Sequence, residues 1–551
     1  MNVGIIGNGA FGGLVDRRGR IVWCCLNGFN SDPIFNSRLN NDSEDGGWFD
    51  ISIENLVKSE QKYIPNTCIL ITTLVSSTND VLQIKDFAPR FIQHDRIFQP
   101  YQIFRTLTRI RGDPKATIRI RPSFEYNAAE GYQTRGSHHV RYCGPTGTLR
   151  VTTNAPIQLI IDELPFLVHD PVFLVFGPDE SFAHSLPLVA REFEERTLKY
   201  WKQWGGNLQL PVDYQEILLR ACISIQLLHS DELGGFVSSL TLGVSEGRVF
   251  DIPEICFGIS VLREFGFYIQ IRKFFDFLKS IVFLSDNPQS VYDVCSIVSG
   301  VDVSSLAGLR GPVGAGPARP DPAMPCIIIV GLSQGFTDIR LKDVCSVKLF
   351  EKLEAWGEEA LTNFGTFFIS AALSSMGDEE IGGVSTMGSI LIWAAADRLG
   401  RVAAHCHWVE KAKIWQAHAE RMRRDILANQ SGPFLASRWG GSSTCVALLR
   451  VAELGFVDTC DVIWQNTLAR LRPGEWTTCT LLWYLEALRS IDVERSRSLF
   501  HALCASSTEC GLFSETIDLE TATLGGNLPH CAALVGVLRT GSRFSRGWRQ
   551  I

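Results

Sequence analysis

The stretch VGIIGNGAFGGLVDRRGRIVWCCLNGFNS, residues 3–31, decides how the start of the chain folds. It contains the pattern G-x-G-x-x-G at Gly7, Gly9 and Gly12, which in dinucleotide-binding enzymes leads from a strand into a helix. Only three residues separate Gly12 from a polar turn that ends at Gly19, so there is no room for a crossover helix. The stretch therefore predicts three antiparallel strands joined by glycine turns, and it argues against a phosphate-binding loop.

The composition is that of a large globular protein. Its 551 residues are 45% hydrophobic and 20% charged, which is enough for two or three domains with large cores. The formal net charge of −7 argues against a nucleic-acid partner, which requires a basic face. No apolar run reaches the roughly 18–20 residues of a membrane span, and the N-terminus lacks the features of a secretory signal. We therefore expect a cytoplasmic protein with no membrane or nucleic-acid partner, and the oligomeric state stays open.

The cysteines and histidines give no sign of a metal site. The sixteen cysteines are scattered and often lie in apolar runs, which favours buried free thiols in a reducing compartment. No cysteine pair has zinc-finger spacing. His405 and His407 have no further ligand nearby in the sequence, so they are typical of an ordinary helix face. We expect neither a metal nor a cofactor.

The chain changes character near residue 190. Short β-branched runs between Gly, Asn, Asp and Pro turns predict an antiparallel β-sandwich over residues 1–190. Residues 191–212 predict an amphipathic linker helix, and residues 213–551 have the helical periodicity of a large all-α domain. Within that domain, residues 308–325 are rich in Pro and Gly, which fits either a flexible lid or an irregular segment of the gene model. The predicted helical segments are 213–229, 253–285, 341–364, 387–404, 408–428, 443–456, 459–470, 477–490, 493–507 and 529–540.

Several motifs occur in a fixed order along the chain. After the opening stretch come YIPNTCILITTL (63–74), IKDFAPRF (84–91), ILIWAAADRLGRVA (390–403) and GLFSETIDLETATLGGNLP (511–529). In this order they resemble glycoside hydrolase family 15, the glucoamylase and trehalase-like proteins. The resemblance implies a multidomain β plus α protein, an N-terminal antiparallel β-sandwich followed by an (α/α)6 barrel of paired inner and outer helices. It also implies a small-molecule ligand.

The resemblance further implies two catalytic carboxylates. Inverting glycosidases protonate the leaving group with a carboxylic acid and activate water with a carboxylate about 6.5–9.5 Å away. Counting back from the helix that contains Trp393 places the acid at Glu379, and the base motif of the family matches residues 511–518 with Glu515 as the base. Glu379 lies among other acidic residues, so it also fits an ordinary exposed acid in a polar loop.

The sugar-binding motif of the family is only partly retained. Its match, residues 245–260, keeps Arg248 and Asp251 as substrate-binding candidates. The Arg-Asp pair that binds glucose hydroxyls in the family falls on Ile259 and Ser260. Because each lost polar contact costs about 1–3 kcal/mol, these changes predict poor glucoside hydrolysis and a pocket for an apolar ligand.

Three functions therefore stay open. The eroded motif favours a catalyst recruited to isomerise or cyclise an apolar metabolite in a specialised-metabolite pathway. The alternative is an inverting α-glucoside hydrolase with Glu379 as acid and Glu515 as base. The third is a non-catalytic protein that binds a sugar or a protein. The side chains around Glu515 discriminate between the first two, because polar groups favour the hydrolase and apolar groups exclude it.

Overall fold

The opening stretch folds as predicted. The computed structural model describes residues 2–29, 31–37, 46–241, 250–291, 294, 323–365, 383–471 and 476–545. Within them, β1 (Val3–Gly7), β2 (Gly12–Asp16) and β3 (Ile21–Cys24) form an antiparallel meander with no helix between the strands. The glycine pattern is therefore not a dinucleotide-binding loop.

Two antiparallel sheets follow from the alternating runs of the first part of the chain. The remaining strands are β4 (Trp48–Ile53), β5 (Leu56–Tyr63), β6 (Leu70–Ser76), β7 (Val81–Phe87), β8 (Phe91–Gln93), β9 (Arg96–Phe98), β10 (Ile103–Arg111), β11 (Lys115–Arg121), β12 (Tyr132–Arg135), β13 (His139–Gly144), β14 (Gly147–Thr153), β15 (Phe166–Leu167), β16 (Val172–Pro178), β17 (Thr516–Asp518) and β18 (Thr523–Gly525). Among the described residues, one sheet has the order β1-β2-β3-β4-β11-β15 and the other β12-β13-β14-β16-β10-β7-β6-β5. Their facing side chains, including Phe35, Phe49 and Phe176, share one core. This is the expected β-sandwich.

A long helix joins the sandwich to the second part of the chain. After the short helix α1 (Ile157–Ile161), helix α2 (Leu186–Gly206) packs Val189 and Ala190 on the outer face of the eight-stranded sheet. The helix therefore begins a few residues before the predicted linker at 191–212.

The second part is a ring of paired helices. The helices are α3 (Gln215–Leu228), α4 (Ile252–Glu264), α5 (Tyr268–Leu284), α6 (Met324–Thr337), α7 (Val347–Thr362), α8 (Thr386–His405), α9 (Val409–Ala428), α10 (Val451–Leu454, continuing a 3-10 turn over Val446–Arg450), α11 (Val462–Arg470), α12 (Thr478–Arg489), α13 (Val493–Ala505) and α14 (Cys531–Phe544). Along the ring α4 packs on α6, α6 on α8, α8 on α10, α10 with its 3-10 turn on α12, α12 on α14, and α14 closes the ring on α4. Helices α3, α5, α7, α9 and α13 pack around them. The (α/α)6 barrel implied by the resemblance is confirmed.

One inner helix was not predicted, and one predicted segment is two helices. Helix α6 begins at Met324, whereas the sequence predicted no helix between the loop and residue 341. It is buried on almost every side, so its sequence, MPCIIIVGLSQGFT, lacks the polar stripe that reveals an amphipathic helix. The segment 253–285 divides at Gly266, whose φ of +92° suits glycine and reverses the chain between α4 and α5. Residues 308–322 of the predicted loop lie outside the described residues.

The opening glycines allow the sandwich to pack closely against the barrel. Gly9 has a φ of +85°, and a Cβ there would lie 2.6 Å from the Arg90 guanidinium and 3.3 Å from Asp231 of the barrel. Arg90 is almost completely buried, donates to the Asn8 carbonyl and binds Asp231 Oδ2 at 2.6 Å. Lys273 Nζ binds the other Asp231 oxygen at 2.9 Å. The pattern that resembles a cofactor loop is thus part of a domain interface.

Candidate active site

The inner helices begin at one end of the barrel. They alternate with outer helices along the chain, so they run in the same direction and their first turns lie around one mouth. Polar caps start three of them, because Asp251 accepts from Glu254 N–H, Ser385 from Gly388 N–H and Thr477 from Thr480 N–H, at 3.1–3.2 Å. Each cap satisfies a backbone N–H that has no partner inside the helix.

Glu515 lies at this mouth, between the start of α12 and the segment that enters α14. Its Oε2 accepts hydrogen bonds from the backbone N–H and the side-chain Nδ2 of Asn527, both at 3.0 Å. Its backbone carbonyl accepts from Thr478 N–H at 2.7 Å, which fixes it to the first turn of α12. The described residues supply no hydrogen bond to Oε1. One oxygen is therefore held in place while the other is left for a ligand.

A hairpin brings Asn527 back to Glu515. Strands β17 and β18 pair directly after Glu515, and Asp518 closes their turn by accepting from Glu520 N–H at 2.9 Å and Thr521 Oγ1 at 2.6 Å. Gly526 then has a φ of +70°, and a Cβ at this position would lie 2.7 Å from Glu515 Oε2. Glycine is therefore required here both for the backbone conformation and for the close approach of the carboxylate.

His530 lies beside two carboxylates at the start of α14. Burial lowers the pKa of its imidazole, although the negative charges of Glu515 and Glu254 act in the opposite direction. Its Nδ1 is buried without a hydrogen-bond partner among the described residues. The histidine therefore lies within electrostatic range of both Glu515 and Glu254, which lies on the first turn of α4.

Glu254 takes part in an ion pair that crosses the lumen of the barrel. Its Oε2 accepts from Nη2 of Arg450 and from the Cys479 thiol at 3.4 Å. Burial and the Glu254 carboxylate raise the pKa of that thiol, so it stays protonated and donates. The Arg450 guanidinium lies over the rings of Phe257 and Trp483, at 4.3 and 3.6 Å from their centroids. Because α4 and α10 are opposite each other in the ring, the pair spans the lumen.

The structure brings together only part of the predicted site. Glu379 and Arg248 lie outside the described residues. Asp251 caps α4 three residues before Glu254, at the mouth. Ile259 is fully buried and Ser260 half-buried, and at about 100° per residue they point some 120–140° away from Glu254 on α4. Their role in lining the pocket stays a prediction.

Four residues of this cluster were not predicted: Asn527, His530, Glu254 and Arg450. Asn527 follows two glycines in the GGN sequence that ends the base motif, and this was the available signal for a tight turn beside Glu515. Glu254 and Arg450 are 196 residues apart in the chain, so no local pattern predicts their pairing.

The described residues contain no group of three or more His, Cys, Asp or Glu side chains that could hold a metal ion. No helix in the described ranges is long and apolar enough to cross a membrane. The described cysteines are free, and most of them are buried or half-buried.

Comparison with known proteins finds relatives along nearly the whole chain. No protein-family model matches it. A trehalase of Thermoplasma volcanium is 21% identical over 98% of this chain and 93% of its own length. Trehalase 2 of Sulfolobus acidocaldarius is 22% identical, with 96% and 97% covered, and a trehalase of Mycobacterium tuberculosis is 21% identical, with 94% and 85% covered. The solved structure of a bacterial glucoamylase complexed with acarbose shares the fold, with a TM-score of 0.66 at 11% identity over 98% of this chain and 93% of that one.

The chain is thus similar to trehalases along nearly its whole length and shares the fold of a glucoamylase. These similarities confirm the resemblance to glycoside hydrolase family 15, and the prediction of an enzyme agrees with them. Nothing in the comparisons supports a tailoring step on an apolar metabolite or a role in specialised metabolism. The hydrolase, which the sequence left as the alternative, is the better supported of the predicted functions.

Proposed function

We propose that this protein hydrolyses an α-glucosidic bond in a small sugar such as trehalose, with inversion at the anomeric carbon. The observation that carries the proposal is the Glu515 carboxylate at the mouth of the barrel, where Asn527 holds Oε2 with two hydrogen bonds and the described residues leave Oε1 without one. A sugar presents mainly hydroxyl groups, which require matched donors and acceptors. The similarity to trehalases along nearly the whole chain supports the same substrate class.

Glu515 is the proposed general base. Two N–H groups of Asn527 hold Oε2 as an acceptor, and Oε1 is left to accept a proton from the attacking water. In an inverting hydrolase the water attacks the anomeric carbon from the side opposite the leaving group, while a carboxylic acid protonates the glycosidic oxygen. We assign this acid to Glu379, on the motif resemblance alone. The products are two sugars, one of them released with inverted configuration.

Glu515→Gln tests the proposal. The amide keeps the size of the side chain but cannot accept a proton from water, so we expect the turnover of trehalose or maltose to fall by about 10²–10⁴-fold. The matched control is Glu520→Gln, an exposed glutamate on the same hairpin, which should keep wild-type activity. Glucose release is measured enzymatically, and the anomer formed first is identified by ¹H NMR. The proposal fails if the pure wild-type protein releases no glucose from either sugar, or if Glu515→Gln is as active as the control.

A further inference from the structure

The ion pair across the lumen is incompletely satisfied. The Arg450 side chain is 4% exposed, and its Nη2 binds Glu254. Its Nε and Nη1 are buried without a hydrogen-bond partner among the described residues, and the other nearby acid, Glu453, lies 3.7 Å from Nη1. Buried guanidinium groups normally have their N–H donors paired, because leaving one unpaired costs about 1–3 kcal/mol or more. Two N–H donors of Arg450 thus make no hydrogen bond to the described residues.

The Glu254 carboxylate also has one oxygen without a hydrogen bond from the described residues. Its Oε2 is occupied by Arg450 and the Cys479 thiol, whereas the described residues supply no hydrogen bond to its Oε1. The side chain is 18% exposed, so a ligand can reach it. A molecule that fits both groups must offer a donor to the carboxylate and an acceptor to the guanidinium. A hydroxyl group does both.

The Glu254–Arg450 pair lies close to the mouth of the barrel, within reach of a small ligand that enters there. Glu254 is the third residue of α4, and Phe257 and Trp483, which hold the guanidinium between them, are the sixth residues of α4 and α12. At 1.5 Å per residue this places the pair within about 8 Å of the helix starts, the end of the barrel where Glu515 lies. His530, at the start of α14, has its Nδ1 buried at this same end of the barrel.

We propose that Glu254 and Arg450 form the floor of the substrate pocket and determine specificity by binding hydroxyl groups of the sugar. This inference rests on the proposed function, and it names which side chains recognise the substrate. The aromatic rings on both sides fix the guanidinium, so its free N–H groups keep one direction and discriminate between hydroxyl positions. Glu254 accepts a hydrogen bond from a hydroxyl group of the sugar.

The outer helices provide a matched control away from the mouth. Glu354 on α7 is 17% exposed, much like Glu254, and its Oε2 binds Lys411 Nζ on α9. Its Oε1 accepts a hydrogen bond from Trp415 Nε1 at 3.2 Å. Glu354 is thus a paired, partly buried carboxylate whose partners lie on an outer helix, and it is not part of the proposed floor.

The test compares Glu254→Gln with Glu354→Gln. Each change keeps an oxygen for its cationic partner and should fold, and both are made in the Glu515→Gln background so that binding is measured without turnover. Isothermal titration uses trehalose, maltose and glucose as probes. We expect Glu254→Gln to weaken the binding of the best probe by about 10–100-fold, because a hydrogen bond to a charged group is lost, and Glu354→Gln to leave it unchanged. In the otherwise wild-type enzyme, Glu254→Gln should raise KM more than it lowers kcat.

Arg450 is tested separately, because removing it alone leaves a buried carboxylate. Arg450→Lys keeps the charge but not the planar fork, and we expect a similar loss of affinity. The double variant Glu254→Gln/Arg450→Met removes both charges together and should fold while binding no better than Glu254→Gln.

The two proposals fail in different ways. If the Glu515→Gln protein binds a probe and Glu254→Gln binds it as tightly as Glu354→Gln does, the floor proposal is wrong and the proposed function stands. If Glu515→Gln and the wild-type protein bind none of the three sugars, the proposed function is wrong, and the floor proposal falls with it.

Discussion

At the scale of single residues, the site depends on how Asn527 and Gly526 orient the Glu515 carboxylate. Asn527 donates hydrogen bonds to Oε2 of Glu515 from its backbone N–H and its side-chain amide, and Gly526 leaves the space for this contact. The geometry favours a carboxylate with one fixed and one free oxygen. The sequence motif around Glu515 predicted the carboxylate. The hydrogen bonds from Asn527 could not be predicted in this way, because they form only when the hairpin brings Asn527 back to Glu515.

Gly526→Ala should separate the catalytic effect of this contact from its effect on stability. The left-handed backbone costs an alanine roughly 1–2 kcal/mol of stability, and the new methyl group would also lie 2.7 Å from Glu515 Oε2. We therefore expect both a lower free energy of unfolding and a large loss of kcat. Urea unfolding and glucose release measure the two effects.

Gly455→Ala is the control for that change. Gly455 has a φ of +78°, but a Cβ there would meet no atom within 4 Å. It should show the same loss of stability and keep its activity. Equal activities of the two variants would contradict a role for the close packing at Gly526.

At the scale of elements, the site depends on where the inner helices begin. Asp251, which the motif resemblance marked as a substrate-binding candidate, accepts a hydrogen bond from Glu254 N–H and thereby starts α4 where Glu254 meets Arg450. The start of a helix can be predicted from such a capping residue. Which face of the helix points into the lumen follows from packing against α6 and α14, and no local pattern in the sequence reveals it.

Asp251→Ala and Asp251→Asn distinguish capping from other roles of this residue. Asparagine is as good an N-cap as aspartate, whereas alanine costs about 1 kcal/mol. We expect Asp251→Ala to lower the free energy of unfolding by that amount and Asp251→Asn to leave it close to the wild-type value. Chemical denaturation checks both. A loss of sugar binding in Asp251→Asn, with stability unchanged, would assign the carboxylate a direct contact with the substrate.

At the scale of the whole molecule, charged side chains join the sandwich to the barrel. Arg90 and Lys273 surround Asp231, and burial alone would raise the pKa of Asp231, but the positive neighbours outweigh it and lower the pKa. His229 lies beside this cluster with both ring nitrogens buried and without hydrogen-bond partners among the described residues. Burial lowers the pKa of His229 to about 3, so the ring stays neutral in the folded protein at neutral and mildly acidic pH.

This neutral histidine predicts a loss of stability in acid. Below about pH 6.5 the unfolded chain binds a proton at His229 that the folded protein does not bind until about pH 3. Stability therefore falls as the pH is lowered through this window, by up to about 1.4 kcal/mol per pH unit from this group. His229→Gln should make the decline of the melting temperature between pH 6.5 and pH 4 less steep.

His184→Gln is the control, because His184 is exposed and meets water in both states. It should leave the slope unchanged. An equally steep decline in His229→Gln would show that other groups cause the acid sensitivity.

The sequence by itself determined the strands of the sandwich, most of the helices of the barrel and the motif around Glu515, because these depend on local periodicity, turn residues and short-range order. Only the tertiary structure decided three further features. Helix α6 packs against the inner helices α4 and α8 and the outer helices α5 and α7, and so lacks a polar face to reveal it. The pairing of Glu254 with Arg450 joins opposite sides of the ring. The glycines of the opening stretch, whose pattern suggests a cofactor, pack against Arg90 and Asp231, because a glycine admits close contact with whatever the fold brings near it.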